Sequence, residues 1–560
     1  MKEIITKLLA KELKKEEEEI INLIEIPPNS ELGDFAFPCF SLAKELRKSP
    51  VDISTQLSLN LNKKLPKEIS GVNAQGAYLN FFINKKNLAS EVIKQILKEK
   101  DKFGKGKDKE LVMVEFSQAN THKAFHVRHI RGTSVGESLS RVCEFKGNKV
   151  IRANYQGDTG MHDAKWIWNY SKNHFKEKIA ADEQWIASIY VDAVKRLAEN
   201  ETLQEQVDEI NRSLESSKDK KLMELWKKTR KISLDALEII YKELNTHFNK
   251  YYFESQVEKR GKEISQELEK KGIAKISDEA TIMDLNEYGL NVWVLLRKDG
   301  TVLYSGKDLA LIEKKFNDYK LDKCIYMVAD EQNLHFQQLF KTLELMNFKN
   351  REKCIHVNYG MVRLPTGKMS SRTGDNILYS SLKKEVVEYA KQEIKKRFPD
   401  IKEKELENRA LKISISAIKF SMLRQSPNKV IVFTKEDALN FEGDTGLYIQ
   451  YSYARASSII RKSRKKAGSE IKHLPEIHET ELIKKLAEFP EIIQQSYKQL
   501  NPAIIANYSF QLSQIFNEFY HSSQVINNDK EEFRLALVRA FRIVIKQSLN
   551  LLGIEVIEEM

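Results

Sequence analysis

Two histidines three residues apart, His126 and His129, follow Lys123 where a polar loop gives way to a helical pattern. At i and i+3 the two imidazoles share one helix face. Either ring can hydrogen-bond a phosphate oxygen, whether neutral or charged, and the lysine ammonium adds a point charge. Such a set suits the phosphates of a nucleotide. Taken alone, the pair suits a capping or surface role equally well. No metal site is read, because no cysteine or carboxylate cluster completes a zinc ligand set.

The elements that must hold these side chains can be read on either side of them. Residues 111–116 form a short apolar run with the character of a buried strand. From 127 to 146 apolar residues recur at helical spacing (Ile130, Val135, Leu139, Val142, Cys143) until Gly147 stops them, and residues 150–155 read as the next strand. The result is a βαβ unit. Its helix start aims free N–H groups and a positive dipole end past the strand, where an anion is favoured.

Ser117, Asn120, Lys123, His126, His129 and Gly136, with Asn154-Tyr155-Gln156-Gly157-Asp158 downstream, resemble the signature block of class I aminoacyl-tRNA synthetases, specifically the arginyl-tRNA synthetases. Arg128 stands where that family has glycine, Ala119 and Ala124 where it has prolines, and Thr159 where it has tryptophan. A glycine in place of Arg128 would let adenine lie against the helix backbone. A guanidinium there either fills that seat or swings aside and stacks on the base. Gly367-Lys368-Met369-Ser370-Ser371-Arg372 resembles the family's mobile lysine loop, which brings cations to the phosphates as charge develops during adenylate formation. The resemblance assigns Lys368 and Met369 to ATP, beside Lys123, His126 and His129. Ser371 takes the place of the second lysine of the general class I pattern, which leaves Lys123 and Arg372 to supply its charge.

The resemblance also implies an arginine pocket, with Tyr304, Asp308 and Glu115 around the guanidinium and Asn120 and Gln332 at the α-amino end. A guanidinium is always charged and pairs best with carboxylates in fork geometry, so lysine or citrulline would leave an acid poorly matched. The implied activity is that of an arginine-tRNA ligase. It joins arginine to ATP as the adenylate, with Mg²⁺ balancing the phosphates, and passes it to the 3′ end of tRNA(Arg), which must be bound before activation proceeds. Lys123, His126, His129 and Lys368 are the implied catalytic residues. The alternative is a synthetase relative that grips tRNA without charging it, having lost ATP through Arg128.

A chain of 560 residues is too long for one core. The expected fold class is multidomain α/β. Residues 1–100, helix-like around 32–38 and 42–46 and strand-like from 71 to 83, resemble the family's N-terminal appended tRNA-binding domain; Phe35 and Phe37 there suit core packing more than base stacking. Residues 101–430 would be a Rossmann-type catalytic domain carrying a charged helical insertion at about 174–280. Residues 431–560 resemble the all-α anticodon-binding bundle, with Gln450, Tyr451 and Arg455 as candidate tRNA contacts, although a helix interface explains Tyr451 about as well.

Lysine and arginine exceed aspartate and glutamate by 92 to 80, a net charge of +12 that suits an RNA partner without requiring one. Cys39, Cys143, Cys324 and Cys354 form no CxxC pair, as expected of free thiols in a reducing compartment. No long uncharged apolar run suggests export or a membrane span. A cytoplasmic monomer is the expectation.

Overall fold

The computed structural model describes residues 1–216, 218–363, 378–434, 438, 440, 443–463, 465, 468 and 474–560. Packing divides them into two units. One comprises Gly104–Ser458, Phe489–Gln514 and Val544–Met560; the other comprises Met1–Phe103, Ile459–Glu488 and Ile515–Ile543.

The larger unit is built on five parallel strands: β1 (Leu111–Glu115), β2 (Lys149–Gln156), β3 (Lys250–Phe253), β4 (Lys323–Ala329) and β5 (Cys354–Tyr359), in the order β5-β4-β1-β2-β3. Helices cover both faces of such a sheet, which is why β1 is apolar without alternation. The chain leaves β1 for β2 on one side, and β4 lies on the other. The crevice beyond the end of β1 is therefore a topological switch point, where open α/β sheets bind ligands.

Helix α1 (Val127–Phe145) makes the crossover from β1 to β2 and is buried over most of its length. Close packing demands glycine on it: a Cβ on Gly136 would sit 2.2 Å from Phe116 Cγ. Its buried Glu137 is held by Arg152 at 2.9 Å and Arg141 at 2.6 Å. Ser138 Oγ donates to Leu551 O at 2.8 Å, and buried Lys419 Nζ donates to Gly553 O at 2.9 Å. Helix α2 (Tyr304–Asp318) precedes β4. The stretch read as a helical insertion does hold helices at Glu183–Glu199, Gln204–Ser216 and Lys220–Glu243, but it also supplies β3 of the main sheet. That four-residue strand is too short, and too rich in tyrosine among charged neighbours, to stand out from them.

In the smaller unit Tyr78–Ile83 is the middle strand of an antiparallel sheet, flanked by Ile69–Gln75 and Phe35–Pro38. The helical expectation around 32–38 is thus corrected. Aromatic residues alternate at Phe35 and Phe37, and this suits the pleat, where they pair with Phe81 and Leu79. Phe37 is fully buried and Phe35 packs on the same core. In this unit Arg534 Nε also donates to buried Glu479 at 2.7 Å. All four cysteines are free and buried. Among the described residues no helix is long and apolar enough to cross a membrane.

Candidate active site

Past Glu115 the chain turns sharply, with left-handed backbone at Ser117 (φ 78°), Gln118 (φ 52°) and His122 (φ 57°). Non-glycine residues hold such angles only where their surroundings insist. Here Thr133 Oγ1 donates to Ser117 Oγ at 2.9 Å, Ser117 and Asn154 converge on the Tyr241 hydroxyl at 3.1 Å each, and Gln118 N donates to Asn154 Oδ1. Buried His122 lies between Asp163 at 2.6 Å and Thr229 at 2.9 Å. His162 and His122, which the Asp163 carboxylate accepts from, hold that carboxyl well below the usual range despite burial. The loop therefore reaches α1 in one conformation.

His126 is the residue before the first turn of α1, and its backbone N–H donates to His129 Nδ1 at 3.0 Å. The rings lie 5.0 Å apart. Burial, with Arg128 and Lys123 adding repulsion, pushes His126 down to about 4. Burial, then His126 and the same two neighbours, take His129 well below its ordinary value. Both imidazoles are thus neutral at physiological pH. Burial also lowers Lys123, partly offset by Asp163 and Glu254. With Arg128, Lys165 and Glu331 these side chains line a cavity of about 840 Å³. Arg128 Nη1 stands 3.9 Å from Glu331, a half-exposed pair at the wall.

A second cavity, of about 430 Å³, shares Gln118 and Asn120 with the first. Glu115, Asp308, Glu254, Tyr304 and Gln332 line it. Three carboxylates in one cavity call for cations. Glu254 meets Lys307 at 3.0 Å and Glu115 meets Lys315 at 2.5 Å. Asp308 Oδ2 faces His335 Nε2 at 2.7 Å, while Trp293 Nε1–H points at His335 Nδ1 at 3.3 Å. Because Trp293 can only donate, the network assigns the proton of a neutral His335 to Nε2. Asn120 Oδ1 accepts from Gly157 N at 3.3 Å. Tyr304, the exposed first residue of α2, sets its ring against His335.

The sequence-derived residues thus fall on two adjoining cavities, except those elsewhere in the chain. Lys368 and Met369 lie outside the described residues. Gln450 is corrected: it is wholly buried, donates to Glu555 O at 2.5 Å and accepts from Ile557 N at 3.0 Å, so it fastens the C-terminal segment and has no surface to offer RNA. Tyr451 and Arg455 stack side chain on side chain, the guanidinium 4.7 Å from the ring centre. Sequence reasoning missed Glu254, His335, Lys315 and Lys165. Glu254 had a signal, an acid directly beyond a strand of a parallel sheet; the rest had none.

Residues 92–433 match the profile described as tRNA synthetases class I (R), catalytic domain, more than half of the chain. Residues 1–83 match the arginyl tRNA synthetase N terminal domain and residues 449–560 the DALR anticodon binding domain. The chain belongs to the arginyl-tRNA synthetase family. It is accordingly a class I ligase that forms aminoacyl-tRNA. The arginine–tRNA ligase of Clostridium acetobutylicum is 36% identical over 566 residues, covering 100% of both chains, and that of Clostridium perfringens is 36% identical over 99% of both. Among solved structures, Thermus thermophilus arginyl-tRNA synthetase superposes with a TM-score of 0.81 at 25% identity, over 100% of this chain and 99% of that one.

Proposed function

We propose that the protein activates L-arginine with ATP and transfers it to the 3′ end of tRNA(Arg), with ATP in the larger cavity and arginine in the smaller. The observation that carries this is the shared wall: Asn120 and Gln118 border both a cavity faced by cations and an acid-lined one. A carboxylate held at that wall meets the α-phosphate of a nucleotide bent over the start of α1.

In this reading Asp308 and Glu115 hold the guanidinium, Tyr304 covers it, and Asn120 with Gln332 orients the α-amino group so that the carboxylate faces the nucleotide. A carboxylate oxygen attacks the α-phosphorus and pyrophosphate leaves. His126 and His129, being neutral, serve as hydrogen-bond donors to phosphate oxygens, and the charge comes from Lys123, Arg128 and Lys165 together with Lys368, while the family resemblance also assigns Met369 to the nucleotide. Magnesium would arrive on the nucleotide. Glu331 is the one carboxylate lining the larger cavity among the described residues, and it faces Arg128, a donor set that suits an ion held mainly by phosphates and water. Bound there, the ion would balance phosphate charge. A ribose hydroxyl of the tRNA then attacks the arginyl carbonyl carbon and AMP leaves.

A division into residues 1–100 and 431–560 for tRNA and 101–430 for chemistry, with Tyr451 and Arg455 offered to the anticodon, completes the proposal. The protein would work as a monomer in the cytoplasm. The test is charging of an arginine tRNA transcript with labelled arginine, for the native chain and Arg128→Gly side by side. Charging by the native chain, with lysine and citrulline rejected, is expected. tRNA binding without charging, restored by glycine, would instead establish the non-charging relative.

A further inference from the structure

Behind Glu115, which lines the smaller cavity, lies a cation that nothing in the sequence pattern announced. Lys315 is wholly buried, with Nζ 2.5 Å from Glu115 Oε2 and 4.2 Å from the centre of the Tyr326 ring. It stands seven residues beyond Asp308 on α2, two turns along one face. One helix thus delivers an acid to the cavity wall and an ammonium to the buried side of Glu115.

We infer that Lys315 is a positioning residue for arginine recognition: its contact keeps Glu115 ionised and fixed, so that the cavity presents an uncompensated negative charge and fits a single guanidinium. The inference rests on arginine binding in this cavity, as proposed above. The charge count supports it. Lys315 answers Glu115, Lys307 is shared by Glu254 at 3.0 Å and Glu258 at 3.6 Å, and Asp308 faces Nε2 of His335, whose Nδ1 is taken by the Trp293 N–H, which leaves Asp308 without a lysine or arginine of its own in these contacts. A wholly buried ion pair is costly to assemble and buys little stability, so its place at a binding site is better explained by what it does to a ligand.

Among the described residues, Lys315 and Asp308 from α2, Tyr155 from β2, Tyr252 from β3, and Cys324 and Tyr326 from β4 are ionisable groups that face Glu115. Burial raises the phenols and pushes the Cys324 thiol up to about 12, so all four of these stay neutral. Burial also raises Glu115, with Lys315 the main opposing influence. Without the ammonium, the Gln118 hydrogen bond is left to favour the carboxylate against burial and Asp308.

The experiment measures KM for arginine, KM for ATP and kcat in tRNA-dependent pyrophosphate exchange from pH 6.5 to 9. Lys315→Met should raise the arginine KM at least ~10-fold at pH 7, with recovery as pH rises and Glu115 deprotonates, while kcat and the ATP KM stay within ~3-fold. Lys315→Arg should stay within ~3-fold of the native chain throughout. Should Lys315→Met fail to fold, Glu115→Gln/Lys315→Met replaces the ion pair by neutral groups; it should match Glu115→Gln alone within ~2-fold in arginine KM, because Lys315 acts through Glu115. A native arginine KM in Lys315→Met, a raised KM with no pH dependence, or a double variant with additive effects overturns the inference. Asp308→Asn separates the two levels. If it raises the arginine KM while Lys315→Met does not, only the role of Lys315 fails; if it leaves the arginine KM unchanged, the cavity is not the arginine site and both readings fail.

Discussion

Acid is the perturbation that tests the neutral state of the two signature histidines. Burial is the main cause of the low His126 value, about 4, and Arg128 and Lys123 add to it. At pH 5.5 about 3% of such a side chain is protonated, against about 90% for an imidazole at its ordinary 6.5. The quantity to measure is kcat/KM for ATP, which reports ionisations of the free enzyme, by pyrophosphate exchange from pH 5.5 to 8 at constant ionic strength. No inflection belonging to His126 or His129 should appear in that range. Arg128→Gly removes one repelling charge and should raise the ionisation by less than about one pH unit, since burial remains. The same reasoning gives a sign for stability: between pH 6.5 and about 4 the unfolded chain takes up a proton that folded His126 refuses, and His129 acts in the same direction. Their contribution is therefore complete above 6.5 and is lost as pH falls through that window. An acid limb near pH 6.5 in the native enzyme that disappears in His126→Asn would refute the argument.

Asp308→Asn should cost about 10²- to 10³-fold in kcat/KM for arginine, as removing one partner of a buried charge pair does, with the ATP KM little changed in the same exchange assay. Gly136→Ala forces a Cβ into Phe116 and should destabilise the larger unit by about 1–3 kcal/mol, read as a lowered Cm in urea. Gln450→Leu leaves Glu555 O and Ile557 N without their partner and should cost about 1–3 kcal/mol in the same titration, while the tRNA KM of the folded variant stays native.

Local periodicity made β1, α1 and β2 legible, and with them the loop that carries Asn120 and Lys123, because a βαβ unit is written in contiguous residues. The partners of the acids were not legible. Lys315 reaches Glu115 across two hundred residues of chain, and His335 orients Asp308 through a ring contact with Trp293; neither relation leaves a spacing to recognise. Gln450 shows the limit on a helix. It neighbours exposed Tyr451, yet one residue turns a helix by about 100°, enough to carry the amide from solvent to core. At Phe35 and Phe37 two aromatics at spacing two outweighed the helical reading of their neighbours once a partner strand was present.

The larger unit includes Val544–Met560, through Ser138 on Leu551, Lys419 on Gly553 and Gln450 on Glu555 and Ile557. The helix that begins at Val127 is thus backed by residues made some four hundred positions later. No nascent chain short of them can cover that side of the helix, whatever the state of the sheet. A ribosome that stalls or a frame that shifts before residue 544 therefore yields exposed apolar helix surface, a substrate for chaperones and proteases, in place of a shortened enzyme with partial activity.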